Sequence, residues 1–459
     1  MIDTEALRKK VIDLAIQGKL TEQLQSDGDA ETLYAQILDH KSQLIKEGKI
    51  KKDKTLPDIA ADEIPFETPQ NWKWVRLGTI ITLQSGQDLN ATDYNSDNNG
   101  IPYITGASNY RDDGTLIINR WTDSPKAYAI KGDILLSCKG TVGKLTILDE
   151  EEVHIARQIM GIRTYLVSVK FIRYFVDCML ERIKSASKGL IPGIERNDIL
   201  NLSCPLPPLA EQKRIVEKIE DILAQIDIVD DLQAKYSNDL AVLKSKIIDA
   251  GIQGKLTEQL PEDGDAEDLY AQILNQKSQL IKEGKIKKEK PLPDIAADEI
   301  PFEIPKNWKW VRFGNLMWNR DSERIPVSVA DRKKLAKTYD YYGASGVIDK
   351  VEEYLFDEKL LLIGEDGANL LSRSTPIAFL AEGKYWVNNH AHVLGYYKYD
   401  YLDFVMYYIN SISLVPYVTG AAQPKLNQEN MNKIPVPLPP YSEQKRISSK
   451  LKELLELIS

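Results

Sequence analysis

Apolar residues recur at Ile215, Ile219, Ile222, Ile226, Val229, Leu232, Tyr236, Leu240, Leu243 and Ile247, a three-and-four spacing that predicts one long helix with a coiled-coil seam. Pro207-Pro208 cannot lie inside it, and no Pro or Gly interrupts residues 209–250. The helix should therefore run for about 42 residues, or about 63 Å at 1.5 Å per residue. Its counterpart is divided between the chain ends: residues 441–459 repeat its first part and residues 1–18 its last. If the two pieces abut, they rebuild a second long helix antiparallel to the first, with the termini as neighbours. A further amphipathic helix is predicted over residues 30–47 and again over 266–283, each with an acidic start and a Gly stop. Elsewhere, in residues 79–200 and 315–432, the pattern changes to short alternating runs broken by Gly, Asn and Asp, as strands and turns require. Strand 134–138 and tight loop 139–144 correspond to 359–369; short strands follow at 154–158 and 386–392, then helices at 171–187 and 401–413. The predicted class is α+β: two globular α+β domains separated by two long antiparallel coiled-coil helices, with pseudo-twofold symmetry.

The symmetry rests on an internal repeat. Residues 10–78 reappear as 246–314 with 56 of 69 positions identical, and both copies contain Gly-Lys-Leu-Thr-Glu-Gln, Asp-Gly-Asp-Ala-Glu and Asn-Trp-Lys-Trp-Val-Arg. A second pair matches residues 205–215 to 437–447 through Pro-Leu-Pro-Pro-x-x-Glu-Gln-Lys-Arg-Ile. Solenoids repeat every 20–50 residues or so in many copies, so two long copies imply a dyad instead. The segments between the matched frames barely align. Duplication alone would have left them similar; near-identical frames with divergent inserts imply that the frames meet one kind of surface twice while the inserts meet different ones. The two tryptophans of Asn-Trp-Lys-Trp are expected to alternate along a strand and cover its edge.

Composition excludes several classes. No run approaches the roughly 18 apolar residues of a membrane span, and the start is an amphipathic helix rather than a signal peptide. Three cysteines without CxxC spacing support neither a disulfide framework nor a zinc site, so a cytoplasmic protein is expected. The net charge of −9 argues against a nucleic-acid partner until its location is considered. Residues 71–203 hold 16 Lys and Arg against 15 Asp and Glu, and residues 307–435 hold 15 against 15. The inserts are near neutral and the deficit lies in the helices and linkers. The basic run at residues 46–54 reads as a solvated linker or a phosphate contact.

No catalytic motif is present: there is no Asn/Asp-Pro-Pro-aromatic methyltransferase signature, no Walker loop, no HExxH and no GxSxG. Gly140-Thr-Val-Gly-Lys144 lacks phosphate-loop spacing and reads as a hairpin loop. His390 and His392 fall two apart on a predicted strand face, but without further Cys or His the expectation is no metal. Gly364-Glu-Asp-Gly367 reads as a turn. A non-catalytic chain is expected.

The paired Pro-Leu-Pro-Pro-x-x-Glu-Gln-Lys-Arg-Ile helix starts, the Gly-Lys-Leu-Thr-Glu-Gln helix ends and the two divergent inserts resemble the specificity subunit of type I restriction-modification systems over essentially the whole chain. The resemblance implies target recognition domains at residues 64–204 and 300–436, joined by conserved helical regions at 1–63, 205–299 and 437–459. Each domain would read one half of an asymmetric bipartite site on double-stranded DNA, while the coiled coil sets the spacer. Two modification subunits carrying S-adenosylmethionine would dock on the frame copies. A restriction subunit using ATP and Mg would join them, and this chain would hold no cofactor. A strut of this length can address half-sites about one helical turn, roughly 34 Å, apart. The loop residues offered as base or phosphate contacts are Ser108, Asn109, Arg111, Lys139, Thr141, Lys144, Arg157 and Gln158 in the first insert. In the second they are Ser345, Asn369, Arg373, Asn388, Asn389, His390, Gln423 and Lys425. Two other readings stay open: a structural adaptor with two protein-binding inserts, and a self-contained methyltransferase.

Overall fold

The computed structural model describes residues 1–52, 54–186, 193–420 and 422–458; the expectations over 46–54, 171–187 and 441–459 include Asp53, Ser187 and Ser459, which lie outside the described residues. The chain divides into two compact units, residues 1–234 and 235–459. No helix among the described residues is long and apolar enough to cross a membrane.

In unit 1, α1 (Thr4–Ile16) and α2 (Ala30–Lys46) precede β1 (Lys73–Arg76), β2 (Ile81–Ser85), β3 (Ile101–Ile104), β4 (Trp121–Thr122) and β5 (Tyr128–Ile130). Then come β6 (Ile134–Ser137), β7 (Leu145–Ile147), β8 (Glu152–Ile155), β9 (Ile159–Thr164), α3 (Val169–Ala186), β10 (Ser203–Leu206) and the first part of α4 (Leu209–Ile252), which continues into unit 2. The strands form a β1–β10 pair and two four-stranded sheets, β2-β9-β6-β7 and β4-β3-β8-β5. Strand β6 shows why the layers stack. All four of its residues are buried, with Ile134 and Leu136 facing one core and Leu135 the other, as a period of two dictates. The first core also takes Ile16, Ile37, Leu77, Phe171, Phe175, Leu206, Ile215 and Ile219. Frame helices and insert thus share one apolar interior.

Unit 2 repeats the plan. Helix α5 (Ala266–Lys282) is followed by β11 (Lys309–Arg312), β12 (Met317–Asn319), β13 (Tyr339–Gly343), β14 (Gly346–Val351), β15 (Phe356–Asp357) and β16 (Leu360–Gly364). Strands β17 (Ala378–Ala381), β18 (Lys384–Val387) and β19 (Ala391–Tyr396), helix α6 (Leu402–Ser411), β20 (Pro435–Leu438) and α7 (Tyr441–Leu457) complete it. Its sheets are β11–β20, β12-β19-β16-β17 and β14-β13-β18-β15, strand for strand the order of unit 1. Leu361 and Ile363 face the core shared with the frame, and Leu360 and Leu362 the other. Inserts that hardly align in sequence have one topology.

The repeated motifs are the contacts that tie frame to insert. Pro208 precedes the first helical residue of α4, Leu209, and two residues later the buried Glu211 carboxylate accepts Trp72 Nε1 at 2.9 Å and Gln23 Nε2 at 3.1 Å. Arg214 pairs with Asp27 at 2.6 Å. The second copy repeats this with Glu443, Trp308 at 2.8 Å, Gln259 at 2.9 Å, and Arg446 with Asp263 at 2.5 Å. Trp72 and Trp308 precede the strands rather than alternating along them, so that part of the expectation is corrected: each indole is held by its N–H. Gly18 ends α1 in the left-handed region (φ +70°), and a Cβ there would meet the Pro69 ring at 2.7 Å. Buried Arg76 gathers the linker by donating to the Pro57, Asp58 and Asn201 carbonyls and to Glu63, and Arg312 does the same with Pro293, Asp294, Lys433 and Glu299. Lys51, Lys52 and Lys54 of the basic run are exposed.

The long helix is 44 residues, about 66 Å. Its predicted counterpart is two pieces, each antiparallel to the part of α4 in its own unit. In unit 1, Thr4 bonds Asp230 and Arg8 pairs with Asp227, while Thr21 reaches Glu211. In unit 2, Leu451 packs on Gly251 and Glu443 on Thr257. The seam is not buried throughout. Ile215, Ile219 and Ile226 are buried, but Leu232, Tyr236 and Leu243 are 59%, 64% and 45% exposed. In unit 1 the burial ends where α1 begins, opposite Asp230.

Candidate nucleic-acid interface

In each unit five segments meet at one end of the paired sheets. In unit 1 they are residues 86–88, 104–111, 138–144, 156–158 and 193–194. Gly86 and Gln87 donate to the carbonyls of Ile159 and Ile155, Ala156 donates to Ile104, and Cys138 donates its N–H to Gln158 while its carbonyl accepts from Ile194. In unit 2 the corresponding segments are 321–324, 343–345, 364–369, 388–391 and 423–426. Glu365 donates its N–H to His390, Leu426 to Glu365, Gly367 to Pro424 and Asn388 to Tyr342. Glycines allow the close approach: a Cβ on Gly86 would lie 2.0 Å from the Ala156 carbonyl oxygen, and one on Gly364 would lie 2.7 Å from that of Ala344.

The candidate residues divide into those that face outward and those that build the loops. Ser108, Arg111, Lys139, Thr141, Arg157 and Gln158 are exposed on the first rim, and Ser345, Asn389, His390, Gln423 and Lys425 on the second. Lys144 is half-buried and reaches the Tyr110 carbonyl and Asp112. Asn109 is buried; its Oδ1 accepts from Thr105 and Gly106 and its Nδ2 donates to Ile117, so it fixes its own loop. Asn369 closes the turn to Ser374 and Thr375 in the same way, and buried Asn388 accepts from the His390 N–H. Arg373 sits in the left-handed region and donates to the Ile412 carbonyl at 2.7 Å; burial lowers its guanidinium pKa. These four have their polar groups engaged inside the chain.

The two histidines near the second rim do not share a strand face. His390 lies in the turn after β18, half exposed, with Nδ1 2.8 Å from Asp366. His392 is buried within β19, with Nδ1 2.6 Å from Asp321 Oδ2 and Nε2 2.7 Å from the Leu426 carbonyl oxygen. Both neighbours are acceptors, so both ring nitrogens donate and the ring is an imidazolium. Burial alone would depress its pKa, but the bond to Asp321, the charges of Asp321 and Glu365 and the Leu426 carbonyl raise it above the ordinary value. Asp321 and Glu365 are likewise lowered in spite of burial, Asp321 mainly by His392 and Glu365 mainly by Arg324. Arg324 contacts Glu365 at 2.7 Å and Asp321 at 3.5 Å, and Lys425 contacts Glu365 at 3.1 Å. Asp321, Glu365 and His392 are the one trio among the described residues spaced to hold a cation. Here Arg324, Lys425 and the imidazolium face the two carboxylates, which makes the cluster an ion-pair network. Glu365 is thus more than a turn residue.

The first rim is built differently. Its outer ion pair, Arg157 with Asp88 at 2.7 Å, is exposed. Its buried histidine, His154, accepts at Nδ1 from the Ala127 N–H at 3.2 Å, which leaves that nitrogen without a proton and the ring neutral, and faces the Gln87 carbonyl through Nε2 at 2.9 Å; burial lowers its pKa. The sequence reading missed Asp88, Asp321, Arg324 and Glu365. The pairing of Glu365 with a buried histidine depends on strand order, which no local pattern records.

Two stretches of the chain, residues 69–235 and 305–459, match the family model described as the type I restriction modification DNA specificity domain. The EcoEI type I restriction enzyme specificity subunit of Escherichia coli is 30% identical over 383 residues, which cover 70% of this chain and 63% of that subunit. The EcoAI specificity subunit of Escherichia coli is 26% identical over 98% of this chain and 88% of its own length. A solved chain from work on complex assembly and conformational transition of the type I R-M system superposes with a TM-score of 0.60 at 16% identity, covering 86% of this chain and 92% of that one. This last likeness concerns the fold.

Proposed function

The chain belongs to the type I restriction-modification DNA specificity family, and on that premise we propose that each rim reads one half of an asymmetric, bipartite site on double-stranded DNA. The observation that carries this reading is the pair of rims: the same five segments converge on the same strand order, while the side chains they present differ. One scaffold used twice with different contacts gives two readers of one kind of ligand, and hence a target without a dyad. Exposed Arg, Lys, Asn, Gln and Ser supply the phosphate and base-edge donors and acceptors that such reading needs.

The near-identical frame copies are the docking places for two modification subunits, which bring S-adenosylmethionine and the methyl-transfer chemistry. Apolar side chains left exposed on α4, Ile228 and Leu232 in unit 1 and Val242 and Leu243 in unit 2, are the kind of surface a subunit covers. The chain itself contributes recognition and no catalytic group. A restriction subunit with ATP and Mg completes the assembly, in the cytoplasm. Mapping methylated adenines across the genome of cells with and without this chain tests the reading. A bipartite, non-palindromic motif that vanishes with the chain is expected; an unchanged methylation map would refute it, and binding of other proteins without DNA by the assembled complex would favour the adaptor instead.

A further inference from the structure

The second rim contains a charge network around a buried histidine at a place where the first has an apolar residue. Strand pairing fixes the equivalence: His392 of β19 lies opposite Ile363 of β16, and Met160 of β9 lies opposite Leu136 of β6. Methionine at that position cannot titrate. Histidine there joins three of the five converging segments: its own strand, residue 321 through the Asp321 carboxylate, and residues 423–426 through the Leu426 carbonyl.

We propose that His392 is a positioning residue for recognition by unit 2: its imidazolium clamps residues 423–426 against β19, and readout by this rim depends on that proton while readout by unit 1 does not. The inference rests on the DNA-reading function proposed above. The charged groups facing the ring come from every segment packed against it. Asp321 and Arg324 lie on the stretch after β12, Glu365 on the loop after β16, and Lys425 on the clamped stretch itself. Loss of either ring proton sets a nitrogen lone pair of the buried ring against an acceptor, the half-buried Asp321 carboxylate or the carbonyl of buried Leu426. It also removes one of the three cations that balance Asp321 and Glu365. The outward-facing Gln423 and Lys425, carried by the clamped stretch, and His390, carried by the turn leading into β19, are the residues whose placement would suffer.

The sign follows from the geometry. A histidine charged in the folded protein with a pKa above its ordinary value contributes stability that is fully present below about pH 6.5 and is lost as the pH rises through the folded value. The test uses the full chain assembled with its modification subunits, and duplexes carrying the mapped target or single base changes in either half, from about pH 6 to about pH 9. Hydrogen exchange at residues 423–426 is followed in parallel. Discrimination against changes in the half read by unit 2 is expected to fall roughly tenfold with rising pH, as one ionisation allows, with loss of protection at the amides of 423, 425 and 426 relative to the intrinsic rate and a flat profile for the other half. His392→Ala should lack that discrimination at every pH. The double variant Asp321→Asn with His392→Gln, which keeps an amide bridge without a titrating group, should restore discrimination with a flat profile. Equal pH profiles for the two halves, or wild-type discrimination by His392→Ala, would overturn the proposal. If no complex distinguishes target from non-target DNA, the DNA reading itself fails; protection of the amides of 423, 425 and 426, taken relative to the intrinsic base-catalysed rate at each pH, that does not change with pH overturns the clamp whatever the DNA result.

Discussion

Strand β6 of unit 1 and strand β16 of unit 2 occupy the same place in the same sheet order, and both are buried on both faces. Beyond their ends the units part company: Met160 against the buried His392, and an exposed Arg157–Asp88 pair against a half-buried network of Asp321, Arg324 and Glu365 that the exposed Lys425 joins. What is held constant is the alternation of apolar residues that stacks the two sheets, and what varies is the set of segments at one end. An architecture that separates these two requirements can change its ligand contacts without rebuilding its core.

The comparison breaks most severely if the shared layer is cut. Leu135→Ala and Leu362→Ala each remove a fully buried side chain from equivalent strands and should each destabilise their own unit by about 2–5 kcal/mol. Chemical denaturation of the wild type and the two variants checks this; a cost confined to one of the two would mean that the layers are not equivalent. The frame locks come next. Glu211→Gln and Glu443→Gln each replace the buried carboxylate that accepts the Trp72 or Trp308 N–H with a neutral amide, weakening a charge-assisted bond, and should cost about 1–3 kcal/mol, the same in both units. Unequal losses would show that sequence identity in the frames does not carry equal energetics.

A smaller effect concerns acid. The Arg76 and Arg312 guanidiniums hold Glu63 and Glu299 down to about 2. A depressed carboxylate adds stability above its ordinary value of 4.5, and that stability is lost as the pH falls from there through about 2. Glu63→Gln and Glu299→Gln should flatten the acid limb of the stability curve between these limits, each to a similar degree, in pH-dependent denaturation. The smallest change in stability is expected from Arg157→Ala, which removes an exposed pair worth under about 1 kcal/mol; its effect belongs in DNA affinity, read as a shallower salt dependence of binding.

The frame was legible in the sequence because it is local and repeated. Helix spacing located α2, α4 and α5 to within a residue or two, and the Pro-Pro starts and Gly18 marked helix ends that the structure keeps. The rims were legible only as loops. Asn109, Asn369, Asn388 and Arg373 look like any exposed polar loop residue in one dimension, yet their bonds turn inward, because a loop that meets four other segments must satisfy its own backbone. His390 and His392 were placed on one strand because the turn between β18 and β19 carries no Pro or Gly; the turn at residues 388–390 sends them to different environments. The seam of α4 was over-extended for a related reason. Periodicity records which face is apolar, while burial depends on how far α1 and α7 reach along it.

That near-identical frames hold two unlike readers is put to its sharpest test by a chain in which the insert of residues 79–200 also replaces residues 315–432. Methylated-adenine mapping of cells carrying that chain should reveal a palindromic motif in which the half read by unit 1 occurs twice, inverted about the spacer. Recovery of the original asymmetric motif from that chain would contradict the claim.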